Sequence, residues 1–164
     1  MSLSDRRKVL FSLAALPLAA CGFEPAFGTN GQAEKLRNRV RLQDPNTRDG
    51  FVLVEELERR LGTPQVVVYQ LRYSIRTSRE RLAVTRQEVT TGFNILGTID
   101  FTLSDLRSGR QVVQASVSSF TTYSSTSNNV ATRAAEQDAR KRLMVILADD
   151  MVERLIASAG SIPA

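Results

Sequence analysis

Apolar residues recur at every second position in four stretches of the chain and at every fourth position in two others. The first pattern predicts strands with one buried and one wet face, the second amphipathic helices. Arg37 to Gln43 alternates charged and apolar residues and predicts a short edge strand. Asp44-Pro45-Asn46-Thr47-Arg48-Asp49-Gly50 is dense in turn and capping residues, so a helix starts near it. Leu53, Leu57 and Leu61 form the stripe of that helix, widened by Phe51 and Val54, with Glu55, Glu56, Glu58, Arg59 and Arg60 outside. Gly62 at the C′ position and Pro64 beyond it end the helix.

The strand runs follow. Gln65 to Thr77 places Val67, Tyr69, Leu71, Tyr73 and Ile75 on one face, opposite Gln70, Arg72, Ser74 and Arg76. Ser78-Arg79-Glu80 is expected to turn the chain, and Arg81 to Val89 returns it with Leu82 and Val84 as apolar positions. Ile95 to Leu103 sets Ile95, Gly97, Ile99, Phe101 and Leu103 together, against Thr98, Asp100 and Thr102. Leu106-Arg107-Ser108-Gly109-Arg110 forms a hairpin loop, after which Gln111 to Tyr123 points Val113, Ala115 and Val117 inward and Gln114, Ser116 and Ser118 outward. Ser124 to Asn129 is a polar loop ending in candidate N-caps. From about Val130 to Ser158 there is no Gly or Pro, and Leu143, Leu147, Met151 and Leu155 repeat every four residues. A sheet with one apolar face and two one-sided helices make an α+β two-layer sandwich: mainly an antiparallel β-meander packed against a short N-terminal helix and a long C-terminal one.

The amino-terminal end has a different pattern. Asp5-Arg6-Arg7-Lys8 precedes an apolar run from Val9 to Ala20, and Leu18-Ala19-Ala20 leads into Cys21, the sole cysteine of 164 residues. A basic start, a short apolar stretch and small residues before a cleavage point are the marks of an export signal. Twelve residues cover about 18 Å as a helix, short of the roughly 30 Å of bilayer hydrocarbon, so the run is no membrane span. The segment resembles a bacterial lipoprotein signal, with Leu18-Ala19-Ala20-Cys21 as lipobox. That resemblance implies cleavage before Cys21, S-diacylglycerol on its sulfur and an N-acyl chain on the new amino group. No other cofactor is expected. The chain then divides into a signal over 1–20, an acylated tether over 21–36 and one domain over 37–164. Phe23 and Phe27 in the tether either cover the edge of the fold or rest at the bilayer interface, unless the leader is simply flexible.

Composition narrows the chemistry. The signal removes three of 22 basic and one of 17 acidic residues, leaving 19 against 16 in the mature chain. That mild excess, without clustered Lys/Arg and interleaved aromatics, does not suit nucleic acid. There is no histidine, and acylation uses the single thiol, so the usual general base and the usual transition-metal ligands are missing. No metal site is expected. An enzyme would have to run on carboxylates, and the adjacent Asp149 and Asp150 point about 100° apart on a helix, a poor catalytic pair. No enzymatic activity is expected.

The wet face of the sheet is the informative surface. It is either an ordinary solvated face or a surface that lies against a polar wall, such as the lumen of a large outer-membrane barrel. Arg72, Arg76, Thr98 and Ser116 are its mid-strand candidates for that contact. Arg79 and Arg81 bracket the first expected hairpin end and Arg107 and Arg110 the second. Such arginines pair with phosphates of an anionic glycolipid, and equally keep hairpin edges from aggregating.

Cys21-Gly22-Phe23-Glu24-Pro25, the Arg-rich strand before a capped helix, the meander, and Ala131-Thr132-Arg133-Ala134-Ala135-Glu136 opening a long terminal helix resemble the alphaproteobacterial form of the LptE family of lipopolysaccharide-assembly lipoproteins. The resemblance covers nearly the whole mature chain. It implies a non-enzymatic lipoprotein anchored to the periplasmic face of the outer membrane. Such a protein plugs an LptD-type barrel, assists its assembly and helps deliver lipopolysaccharide to the surface. Gly22 after the cysteine, rather than Asp, fits that location. Auxiliary lipoproteins of ABC-type lipid transport systems share a sheet-plus-helices plan and are the alternative.

Overall fold

The short Val40–Leu42 strand (β1) runs parallel to the start of Tyr69–Val84 (β2), which pairs antiparallel with Thr90–Asp105 (β3), itself antiparallel to Gln111–Ser124 (β4). The four lie in the sheet order β1-β2-β3-β4. The helix Arg48–Leu61 (α1) connects β1 to β2, and Asn129–Ala159 (α2) closes the chain. The computed structural model describes residues 32–84, 90–126 and 128–160. Cys21, Phe23, Phe27 and most of the run to Val89 therefore lie outside the described residues.

Local chemistry explains the elements. Thr47 caps α1 by accepting the Gly50 N–H at 3.0 Å, and Gly62 ends it with φ of 79°, where only glycine is relaxed. Asn128 caps α2 through its side chain, which accepts from Val130 N at 2.8 Å and Ala131 N at 3.2 Å. Both helices lie on one side of the sheet, running parallel to each other. Arg60 of α1 pairs with Asp149 of α2, and Arg140 of α2 reaches Asp49 of α1 at 3.3 Å. Ile99, Phe101, Val117, Leu143 and Leu147 are buried between sheet and α2, as the alternation predicts. Gly97 permits that approach: a Cβ there would stand 2.9 Å from both Leu143 Cδ2 and Leu147 Cδ1.

Three expectations are corrected. Ser78-Arg79-Glu80 does not turn; β2 runs through it, with the three residues opposite Leu96, Ile95 and Asn94 of β3. Continuous pairing overrides the polar composition, so the runs either side are one strand. Phe51 is exposed, because it sits about 200° around α1 from Leu53, while Val52 packs on the core. Leu82, expected as an apolar position of the return strand, lies instead near the end of β2 and is exposed. At the amino-terminal side, Gln32–Lys35 forms a 3₁₀ turn and Leu36, within the stretch assigned to the tether, is fully buried.

Candidate functional site

The outer face of the sheet is built from three cross-strand rows. Arg76, Thr98 and Ser118 form one, Ser74, Asp100 and Ser116 the next, and Arg72, Thr102 and Gln114 the third. Alternation in the strands puts them all on the side away from the helices, so the sheet brings Arg72, Arg76, Thr98 and Ser116 together as expected. They are also linked. Arg76 forms an ion pair with Asp100, and the Thr98 and Ser118 hydroxyls share a hydrogen bond at 3.1 Å. Hydrogen bonds from Arg76 and then Ser116 hold the Asp100 carboxyl below its ordinary range. The face is a polar lattice, shallowly concave around Arg72, Ser74, Asp100 and Gln114. It suits contact with another polar surface better than enclosure of a small molecule.

Farther along the strands, this face turns apolar. Leu96 lies directly opposite Phe120, which is 61% exposed, and Leu82 near the end of β2 is 60% exposed. Sequence reading missed Phe120, although counting by two from Val113 and Val117 puts it on the outer side. The exposed end is rimmed by Ser78 and Glu80 of β2.

The four arginines do not form one site. Arg107 and Arg110 lie in the β3–β4 loop, both exposed, where the Asp105 carboxylate accepts the N–H of Arg107 at 2.7 Å and of Ser108 at 3.3 Å. Those bonds, the first above all, hold the Asp105 carboxyl below its usual range. Arg79 and Arg81 instead lie within β2, opposite Ile95 and Phe93 and therefore on the helix side of the sheet. Phe93 and Asp105 are twelve positions apart along β3, about 40 Å of strand. The Arg79 guanidinium sits 5.2 Å from the centre of the Phe93 ring, donates to the Tyr123 hydroxyl at 3.5 Å and lies 3.7 Å from Glu136. It is occupied in holding the fold together. Arg107 and Arg110 share their end of the molecule with the start of β1 and with Lys35, which donates to Ala159 O at 3.3 Å.

Asp149 and Asp150 diverge, as their spacing requires. Asp149 pairs with Arg60, whereas Asp150 faces a groove beside Ser116 and Ser118. Among the described residues, no three His, Cys, Asp or Glu side chains converge as metal ligands, and no helix is long and apolar enough to cross a membrane.

Comparison with known proteins follows the same outline. The family model LptE, described as lipopolysaccharide-assembly, matches residues 37–155. A candidate lipoprotein of Caulobacter crescentus CB15 superposes with a TM-score of 0.65 at 22% identity, covering 79% of this chain and 98% of the other. The rare lipoprotein B of Shewanella oneidensis gives 0.58 at 12% identity, covering 73% and 93%. A minor lipoprotein of Acinetobacter baumannii gives 0.54 at 16%, covering 73% and 89%. At these identities the three establish a shared fold. No curated protein matches the chain by sequence.

Proposed function

The chain belongs to the LptE lipopolysaccharide-assembly family, and from that premise we propose that it is a non-enzymatic outer-membrane lipoprotein that plugs an LptD-type barrel. In this reading Cys21 carries the acyl chains and holds the domain at the periplasmic face. The sheet's outer face lies against the barrel lumen. Arg107 and Arg110 approach the phosphates of lipopolysaccharide during its delivery to the surface. Arg79 and Arg81, expected to do the same, are left out of that role because they lie on the helix side of the sheet.

The observation that carries the proposal is the outer face itself. Its mid-strand rows hold arginines, an aspartate and hydroxyls, among which Arg76 pairs with Asp100 and Thr98 with Ser118 across strands. Covering this face with a polar wall keeps the Arg76–Asp100 pair intact and offers Arg72 a polar partner, and barrel interiors are polar.

The test is affinity purification of the tagged full-length protein from detergent-solubilised envelopes. Recovery of a large outer-membrane barrel in near-equal amount is expected. Recovery of an inner-membrane permease system instead would establish the ABC-transport alternative and overturn the proposal.

A further inference from the structure

The two edges of the sheet are guarded differently. Odd-numbered residues of β2 direct their backbone groups toward β1: Leu71 O accepts from Gln43 N at 2.9 Å, and Tyr73 N donates to the Gln43 side chain at 3.4 Å. Even residues of β2 therefore bond even residues of β3, odd residues of β3 bond odd residues of β4, and even residues of β4 point their N–H and C=O away from the sheet. β4 is a terminal strand, and no other described strand pairs with that side. Thr122 O is taken by Arg142 at 3.3 Å, which closes one end. Gln114, Ser116, Ser118 and Phe120 remain, each presenting one donor and one acceptor over about 20 Å of strand.

Edges left open in this way are ordinarily protected by charge or proline. The free part of β2 follows that rule, carrying Arg76, Arg79, Glu80 and Arg81. β4 breaks it: QVVQASVSSFTTYS holds no charged residue and no proline. Beside it, Ser116 and Ser118 share a groove with Asp150, Glu153 and Arg154 of α2, a net negative wall. Among the described residues neither Asp150 nor Glu153 forms an ion pair within 4 Å.

We infer that the outer edge of β4 is a strand-addition site, which takes an extended segment of the barrel partner carrying a basic residue toward Asp150 and Glu153. Backbone pairing supplies the attachment, and the acidic groove selects which face of the added strand turns toward α2. Phe120 gives the segment an apolar contact on the opposite side. The inference rests on the barrel partnership proposed above and adds where and how that partner holds.

Proline distinguishes the two ideas. Ser118→Pro removes an N–H that points outward and leaves the β3–β4 ladder complete, whereas Ser118→Ala removes only the hydroxyl. Wild type, Ser118→Pro, Ser118→Ala and Ser116→Pro are each co-expressed full length with the barrel, and recovered barrel is measured per mole of lipoprotein. Folding of each is checked by circular dichroism and thermal midpoint. At least one folded proline variant should lose about tenfold more barrel than the alanine variant. Recovery from every folded proline variant equal to that from Ser118→Ala overturns the inference while leaving the barrel partnership standing. Absence of barrel from the wild-type sample overturns both. Should neither proline variant fold, a photo-crosslinking residue at position 118 decides. A cross-link to an extended barrel segment supports the site, and one to a second copy of this chain, or none to protein, overturns it.

Discussion

Arg79 holds its guanidinium carbon 5.2 Å from the centre of the Phe93 ring, which itself stacks on Tyr123 at 5.3 Å. The cation is thus the outer layer of a three-part stack on the helix side of the sheet, steadied by Glu136 of α2. Contacts of this type on an exposed guanidinium are individually weak, each worth a small step in stability. Arg79→Ala should lower the denaturant midpoint by a corresponding step, and Arg79→Glu by more, since it opposes Glu136. Arg107→Glu, in an exposed loop, should leave the midpoint unchanged. Equal stability of all three variants would remove Arg79 from the fold's framework.

Close approach of α2 to the sheet rests on Gly97. An added methyl must push aside the ends of Leu143 and Leu147, and overpacking of this kind costs about 1–3 kcal/mol. Gly97→Ala should therefore destabilise, and Gly97→Val should do so further. Phe101→Ala on the same face should cost about 3–5 kcal/mol by leaving a cavity. Urea titration of the three variants checks the series, and an unmoved midpoint for Phe101→Ala would mean the buried face has been misassigned.

What the sequence revealed and what it hid follow from the range of the interactions involved. Alternation in β3 and β4 is local, so Ile99, Phe101 and Val117 could be assigned to the core and Thr98 and Ser116 to the outside. The spacing of Leu143, Leu147, Met151 and Leu155 gave the long helix for the same reason. Ser78-Arg79-Glu80 misled because its strand character comes from partners on β3 that are remote in sequence. Arg79 looked like a hairpin charge until Phe93 and Tyr123 were placed beneath it. Phe51 was a simpler miss, since helical geometry already sets it opposite Leu53. The opposite ends occupied by Arg79 and Arg107 follow from the uninterrupted length of β2, which composition concealed.

Acid sensitivity should be carried in part by Asp105. Its folded-state carboxyl titrates below the ordinary aspartate range because the loop N–H groups of Arg107 and Ser108 bind the ionised form. A depressed carboxylate contributes stability above the unfolded value, and that contribution is lost as pH falls through the folded one. Urea midpoints should thus decline as pH drops below about 4. Asp105→Asn keeps the accepting oxygen but cannot titrate, so its midpoint should fall less steeply over the same range. Parallel curves for the two proteins would show that Asp105 takes no part.

The proposed function makes Cys21 the single point of attachment to the membrane. Cys21→Ala should leave an unprocessed or soluble protein, because it removes the thiol that would carry the acyl chains. Fractionation of the variant, together with the intact mass of the wild type, checks this. Unchanged membrane association of the variant, or a wild-type mass without added acyl chains, would refute it.

Separation of the arginines makes the glycolipid assignment testable without disturbing the fold. Arg107 and Arg110 project from a loop whose backbone is organised by Asp105 and by Gly109 with φ of 69°, and neither side chain is needed for that turn. Arg107→Glu with Arg110→Glu should weaken binding of purified lipopolysaccharide. The remaining affinity should depend less on salt, because attraction between exposed charges and phosphates is screened within about 10 Å at 0.1 M. Recovery of the barrel should persist, as the mid-strand rows lie more than two residues from the loop. Thr98→Glu with Ser116→Glu should act the other way: it adds like charge beside Asp100, lowers barrel recovery, and leaves glycolipid binding to the isolated domain in place. Normal lipopolysaccharide binding by the loop variant, or full barrel recovery with the mid-strand variant, would show that the two ends of the sheet are not divided between lipid and protein in this way.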